Sequence, residues 1–455
     1  MSKVSRVDEK FGFGKSTVLG LQHVAVMYGG AVAVPILIAR ALNLSPEDLV
    51  FLISFDLFTC GVVSLLQTLG LARFAGAKLP ALMAISFVVV GPAITIGTDH
   101  GGGHIGLTYI LGGVIGAGVI VTILSQFATQ LIRFFPPIVT GSVVLVIGIT
   151  LMPVAMGNAA GGNAAKDFGA WYHLAAAGFT FAVFLLLNHY AKGFIKSCAI
   201  LISLIIGTIF AAFLGLVDTA PLSSAAWFTF PRPFFFGYPQ FDIASIATMT
   251  LVGIIIMVES TGVFFALGEV SGKQVDGEIV KRGLRAEGIG AIFSGIFNSF
   301  NHSTFSQNVG LVFLTKVVSR YVVAFGGAIL VILGLIPKIA AVTTMIPPAV
   351  LGGAMVPMFG MLMAASMQMM AKDDLTKASN QLIIGVGVGL ALACAGAKAG
   401  TFDSLPKLAG MLIGSGPVVA GIGCFLLNWW LNGANYDPTA EFKQSEEEAA
   451  ETSAV

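Results

Sequence analysis

Gln307 and Asn308 set two adjacent carboxamides, followed by Gly310, between long apolar stretches of the chain. In a bilayer every polar group needs a partner, so side-chain amides beside a helix-interrupting glycine predict a broken segment lining a polar cavity. Gln307 presents a donor and an acceptor on one flat amide, the complement of the lactam edge of a purine or pyrimidine. Glu259 ends the apolar run Leu251 to Glu259 near mid-span, where a carboxylate must face a partner or a cavity. Opposite Gln307 it would complete a grip by accepting ring N–H bonds. Gly262, one turn on, leaves room for a flat ligand. Ser86 and Phe87 bring a ring face for stacking, although ordinary packing also explains a phenylalanine in a chain that has 35.

Three further polar positions have two readings each. Glu287 is either a working acid or an interfacial charge paired with Arg285, and His23 either touches a ligand or ties its segment to a neighbour. Asp56 either caps the backbone of another segment or belongs to a proton path, and Thr315 closes the polar-to-apolar stretch that starts at Gln307. His100, His104, His173 and His189 stand in loops or near span ends, where solvated roles are expected. Cys60, Cys198, Cys394 and Cys424 stand singly in apolar runs, which suggests neither disulfide nor metal site.

The elements that position these residues are membrane spans. The chain of 455 residues is 56% hydrophobic and 10% charged, with a mean hydropathy of +0.91, whereas soluble domains carry about 25% charged residues. A net charge of +1 supplies no basic face for nucleic acid. No nucleophile or metal set suggests an enzyme, no cofactor is implied, and a channel would need a continuous polar pore where this chain offers one local cluster.

Runs of about 20 apolar residues recur, as a bilayer core requires. Fourteen segments are expected, near 16–40, 47–71, 79–97, 104–126, 132–155, 169–190, 195–216, 243–270, 283–299, 303–317, 319–341, 346–369, 378–397 and 410–431. Residues 1–15 read as a cytoplasmic lead and 432–455 as a disordered acidic cytoplasmic tail. With the N-terminus inside, eighteen of the 24 Lys and Arg residues fall on the cytoplasmic side.

Two echoes divide the chain. Phe135 to Gly141 resembles Ile346 to Gly352 at an offset of 211, and Val88 to Gly91 resembles Gln307 to Gly310 at 219. Seven segments per copy make the repeats inverted, the architecture of secondary transporters with a midplane site. Segments 3 and 10 match, and each is expected as a short strand plus a half-helix, with segment 3 interrupted at Gly91-Pro92.

The pattern Gln307-Asn308-x-Gly310-x-x-x-x-Thr315-Lys316 resembles the signature of the nucleobase–ascorbate transporters. Leu19 to Pro35, Phe135 to Gly157, Val258 to Glu269 and Arg285 to Gly310 resemble its bacterial xanthine and uric acid permease branch. The resemblance implies an all-α polytopic protein with a core domain (16–126 and 243–341) and a gate domain (132–216 and 346–431). It implies a proton-coupled elevator importing xanthine, uric acid or guanine through the inner membrane as a homodimer. Glu259, Gln307, Ser86, Phe87 and Asn308 would bind the purine, Asn308 by holding the site's geometry. Glu287, where the family more often has aspartate, would serve coupling with His23, Asp56, Gly310 and Thr315 in support. Val263 stands where uracil-type members carry histidine. A pyrimidine permease, or an anion transporter of the same fold, is the alternative.

Overall fold

The computed structural model describes residues 6–128, 130, 133–162, 165–398, 400–402 and 404–433. Residues 1–5 of the expected lead, and the expected tail beyond Gly433, lie outside the described residues.

The first half opens with α1 (Phe13–Ala31) and α2 (Ala33–Ala41), followed by α3 (Pro46–Leu69). Ser45 caps α3 by accepting from the Asp48 amide at 3.1 Å, and Pro46 occupies the first turn, where its missing N–H costs nothing. Strand β1 (Met83–Ile85) leads through a single 3-10 turn into the half-helix α4 (Val90–Asp99). Helices α5 (Gly103–Leu124), α6 (Pro137–Ala159), α7 (Trp171–Tyr190) and α8 (Ala199–Phe213) complete this half.

The second half begins with α9 (Ile243–Ser271) and α10 (Gly277–Ile296), N-capped by Asp242 and Asp276. Strand β2 (His302–Thr304) precedes the half-helix α11 (Gln307–Thr315). Then come α12 (Arg320–Gly334), α13 (Pro337–Thr344), α14 (Pro348–Met370), α15 (Ala378–Ala395), α16 (Lys407–Gly414) and α17 (Gly416–Asn432).

The two halves are joined at the strands. β1 and β2 pair antiparallel, Met83 with Thr304, Ala84 with Ser303 and Ile85 with His302. The central pair, Ala84 and Ser303, is separated by 219 residues, the offset seen in the sequence. The flanking bonds obey the same symmetry: Ser86 N–H donates to Asn301 O at 3.1 Å and Phe305 N–H to Leu82 O at 2.9 Å. Helices α6 and α14 are each 23 residues long, start 211 residues apart, and pack on one another. Contacts made between halves recur with the halves exchanged, α3 on α12 mirrored by α10 on α5, and α1 on α12 by α9 on α5. These contacts are close. A Cβ on Gly61 would stand 2.6 Å from Gly327 O, and one on Gly288 would stand 2.6 Å from Thr122 N, so small residues let the helices of each mirrored pair meet backbone to backbone.

Among the described residues eight helices are long and apolar enough to cross a membrane, or nine if the bent pair α12 and α13 counts as one span. Of the six remaining expected segments, those near 195–216 and 410–431 are shorter helices, α8 of 15 residues and α17 of 17. Segments 3 and 10 are strand plus half-helix, and α10 carries five charged residues within its 20. Segment 11, expected as one run over 319–341, turns by 83° between α12 and α13, where Pro337 cannot continue the preceding helix. The break in segment 3 lies upstream of Gly91-Pro92, at the β1 residues. Pro92 sits inside the first turn of α4, where proline is tolerated.

Candidate functional site

Crossing β1 and β2 forces the chain to start α4 and α11 from the middle of the protein, so the N-terminal amides of two half-helices converge. Ser86 caps the turn before α4, its Oγ accepting from Val88 N–H at 3.3 Å. Between the two starts lies a small cavity of about 30 Å³, lined by Ser86, Phe87, Glu259, Ser303, Thr304, Phe305, Ser306 and Gln307, with Val144 and Ile147 of α6 and Leu362 of α14 as its apolar wall. Residues from both halves of the chain therefore share one chamber.

Four of the expected binding residues line this cavity: Glu259, Gln307, Phe87 and Ser86. Glu259 Oε2 has no hydrogen-bond partner among the described residues, a free acceptor beside the space. The Gln307 amide reaches into the opening while its Oε1 accepts from Ser306 Oγ at 3.2 Å. Phe87 meets Phe359 edge-on, with centroids 5.6 Å apart at 90°, which keeps the plane of its ring fixed.

Asn308, expected among the substrate-binding residues, does not line the cavity. One residue round the helix from Gln307, it is buried against His23 of α1 without a hydrogen bond of full geometry between them. His23 is likewise buried and outside the lining. Gly262 has open space round its Cα but is not part of the chamber.

Glu287 is 3% exposed, and its Oε1 accepts from Thr304 Oγ1 at 3.1 Å. The pairing with Arg285 is not made. Arg285 turns the other way, donating to Phe74 O at 2.6 Å and Gln126 Oε1 at 2.7 Å and covering the Phe74 ring. Glu287 and Glu259 are near enough to interact as charges, with Ser260 between them receiving the Thr304 amide at 3.1 Å. Asp56 accepts from Ser299 and faces His302, and neither Asp56 nor His302 lines the chamber. Thr315 bonds within its own helix, to Leu311 O at 2.8 Å, and Lys316 stops α11 with a φ of 56°.

Sequence reading missed Ser260 as a link in this chain of contacts, since a serine beside an acid is unremarkable. It also missed Val144, Ile147 and Leu362, which carry no polar signal. A second, wider space of about 300 Å³ continues from the cavity past Phe87, Phe305, Gln307 and Leu362 to Asn188, Lys196, Gly310 and Leu314.

A family model described as "Permease family" matches residues 14–400. The chain belongs to this family, the nucleobase–ascorbate transporters. The permease is 44% identical to the xanthine permease of Bacillus subtilis (strain 168), across 96% of this chain and 97% of that one. It is 45% identical to the nucleobase transporter PlUacP of Paenibacillus larvae, across 91% and 94%. The uric acid transporter UacT of Escherichia coli (strain K12) is 41% identical across 94% and 88%.

Among solved structures, the transmembrane domain of the cyanobacterial bicarbonate transporter BicA has a TM-score of 0.60 at 13% identity, covering 92% of this chain and 99% of that one. SLC26A9 has a TM-score of 0.60 at 12% identity, covering 92% of this chain and 66% of that one. The permease thus shares its fold with these transporters and is a multi-pass membrane protein, not an enzyme.

Proposed function

We propose that this permease imports a purine nucleobase, xanthine or a related oxopurine such as uric acid or guanine, by proton symport. The observation that carries the reading is the single chamber in which the free Glu259 acceptor, the Gln307 amide and the Phe87 ring converge at two half-helix starts. A flat lactam ring would donate N–H to Glu259, exchange a donor and an acceptor with Gln307, and stack beside Phe87. Relatives named xanthine permease, nucleobase transporter and uric acid transporter support the same substrate class. Buried Glu287, next to Glu259 through Ser260 and Thr304, is the second proton-linked candidate.

In this reading fourteen segments form two inverted sevens. The core is α1 to α5 with α9 to α13, and the gate is α6 to α8 with α14 to α17. The core slides against the gate as an elevator, in a homodimer of the inner membrane with both termini cytoplasmic. Helix packing supports the division, since α3, α5, α10 and α12 pack chiefly among themselves, as do α6, α7, α14, α15 and α17. The wide space beside Lys196 and Asn188 serves as the cytoplasmic vestibule. On the other side Arg40 Nη1 donates to Asn158 Oδ1 at 2.9 Å, holding core to gate.

The test is uptake of labelled xanthine by cells expressing Glu259→Gln, with protein level measured in parallel. Uptake should be abolished with the protein still in the membrane, and normal uptake would reject the site. Competition by urate, guanine, hypoxanthine and uracil separates the purine reading from a pyrimidine one. A protonophore that leaves sodium-dependent uptake intact would reject proton coupling.

A further inference from the structure

Asp56 and His302 meet beside β2, outside the lining of the chamber. Both are about 1% exposed, and neither lines either cavity. His302 Nε2 stands 3.6 Å from Asp56 Oδ1 and 3.4 Å from Thr59 Oγ1, and Nδ1 stands 2.9 Å from Ser294 Oγ. Ser294 Oγ also lies 2.7 Å from Gly290 O of its own helix. Nε2 faces Thr59 and the Asp56 carboxyl. Asp56 Oδ1 accepts from Ser299 Oγ at 2.8 Å, and Cys60 Sγ lies 3.8 Å from Oδ2.

The titratable groups around this contact are Asp56 and Cys60 from α3 and His302 from β2, while α10 contributes only Ser294. Each of the two side chains is held by a serine, His302 by Ser294 of α10 at 2.9 Å and Asp56 by Ser299 at 2.8 Å.

We propose that Asp56 and His302 are positioning residues for the nucleobase site, holding β2 and its approach in place through their bonds with Ser294 and Ser299. The inference rests on the function proposed above. His302 opens the strand, Ser303 lines the chamber, Thr304 bonds Glu287 and Gln307 begins the half-helix three residues further on. From His302 to Thr304 the strand advances about 7 Å, so any loosening at its entry reaches the chamber wall. Asp56 holds the approach as well, through Ser299, next to Asn298 in its left-handed conformation at a φ of 63°.

Two readouts test this on the full-length permease. Hydrogen exchange of the backbone amides of residues 302–306, measured on purified protein, does not depend on substrate. Xanthine uptake separates KM from maximal rate. His302→Ala and Asp56→Ala should speed exchange there and raise KM about tenfold or more, with maximal rate per folded transporter altered less than about threefold. Asp56→Asn keeps an oxygen that can accept from Ser299, so its KM should stay within about threefold of wild type. Ser299→Ala, milder in case the others fail to fold, should raise exchange and KM in the same direction.

Unchanged exchange in His302→Ala or Ser299→Ala would overturn the proposal. So would an Asp56→Asn permease that still exchanges substrate but no longer accumulates it, because the pair would then be carrying the coupling proton. If the wild type takes up no xanthine, the proposed function fails, and the exchange measurement still decides whether the pair holds the strand.

Discussion

Thr304→Val isolates one bond at the centre of the site. Thr304 Oγ1 donates to Glu287 Oε1 at 3.1 Å, and Glu287 Oε2 has no hydrogen bond among the described residues. Valine keeps the β-branch and the volume, so β2 should retain its register with Met83 and the bond from the Thr304 amide to Ser260. The donor to Glu287 is lost, together with the weaker 3.6 Å contact of Oγ1 with Met83 Sδ. A hydrogen bond to an ionised group contributes about 1.5–3 kcal/mol, so if Glu287 is ionised during the cycle, transport efficiency should fall by about tenfold to a hundredfold. In a Glu287→Gln background the same substitution removes a neutral bond of about 0.5–1.5 kcal/mol, which leaves a coupling of about 1 kcal/mol or more between the two positions. The assay is the initial rate of labelled xanthine uptake across concentrations, normalised to transporter in the membrane, for wild type, both single variants and the double variant. If Thr304→Val transports like wild type, or costs as much with Gln at 287 as with Glu, the Thr304–Glu287 contact does not serve transport.

Three other outcomes are expected. Ile147→Trp should fill the chamber from its α6 wall and abolish uptake while the melting temperature stays within a few degrees, and normal kinetics would remove this cavity from the substrate's path. Phe87→Ala should raise KM about twofold to tenfold, the worth of an aromatic contact of about 0.5–1.5 kcal/mol, and an unchanged KM in competition assays would assign Phe87 to packing against Phe359 alone. Gly61→Val would bring its Cβ to 2.6 Å from both Gly327 O and Val331 N, costing about 1–3 kcal/mol of stability, seen as a lower melting temperature; no change would mean that α3 and α12 can separate without cost.

Much of the fold could be read from the chain because it is written locally. Apolar run length marks helices, Gly and Pro mark breaks, and the offsets of 211 and 219 reappear as the α6 and α14 starts and as the Ala84–Ser303 pair. The polar side chains of an apolar chain are few and must be housed, so Ser86, Phe87, Glu259 and Gln307 could be named together before any coordinate placed them in one chamber.

Tertiary structure decided which way each side chain faces and whom it meets. One residue along a helix is about 100° of rotation, which separates Gln307 in the opening from Asn308 against His23. Arg285 leaves its neighbour Glu287 for Phe74, 211 residues away, and Asp56 meets Ser299 across 243. The apolar wall of Val144, Ile147 and Leu362 carries no mark in the chain at all. Hydropathy and spacing act over a few residues, whereas these contacts exist only after two halves have packed, and close packing then admits one arrangement of partners.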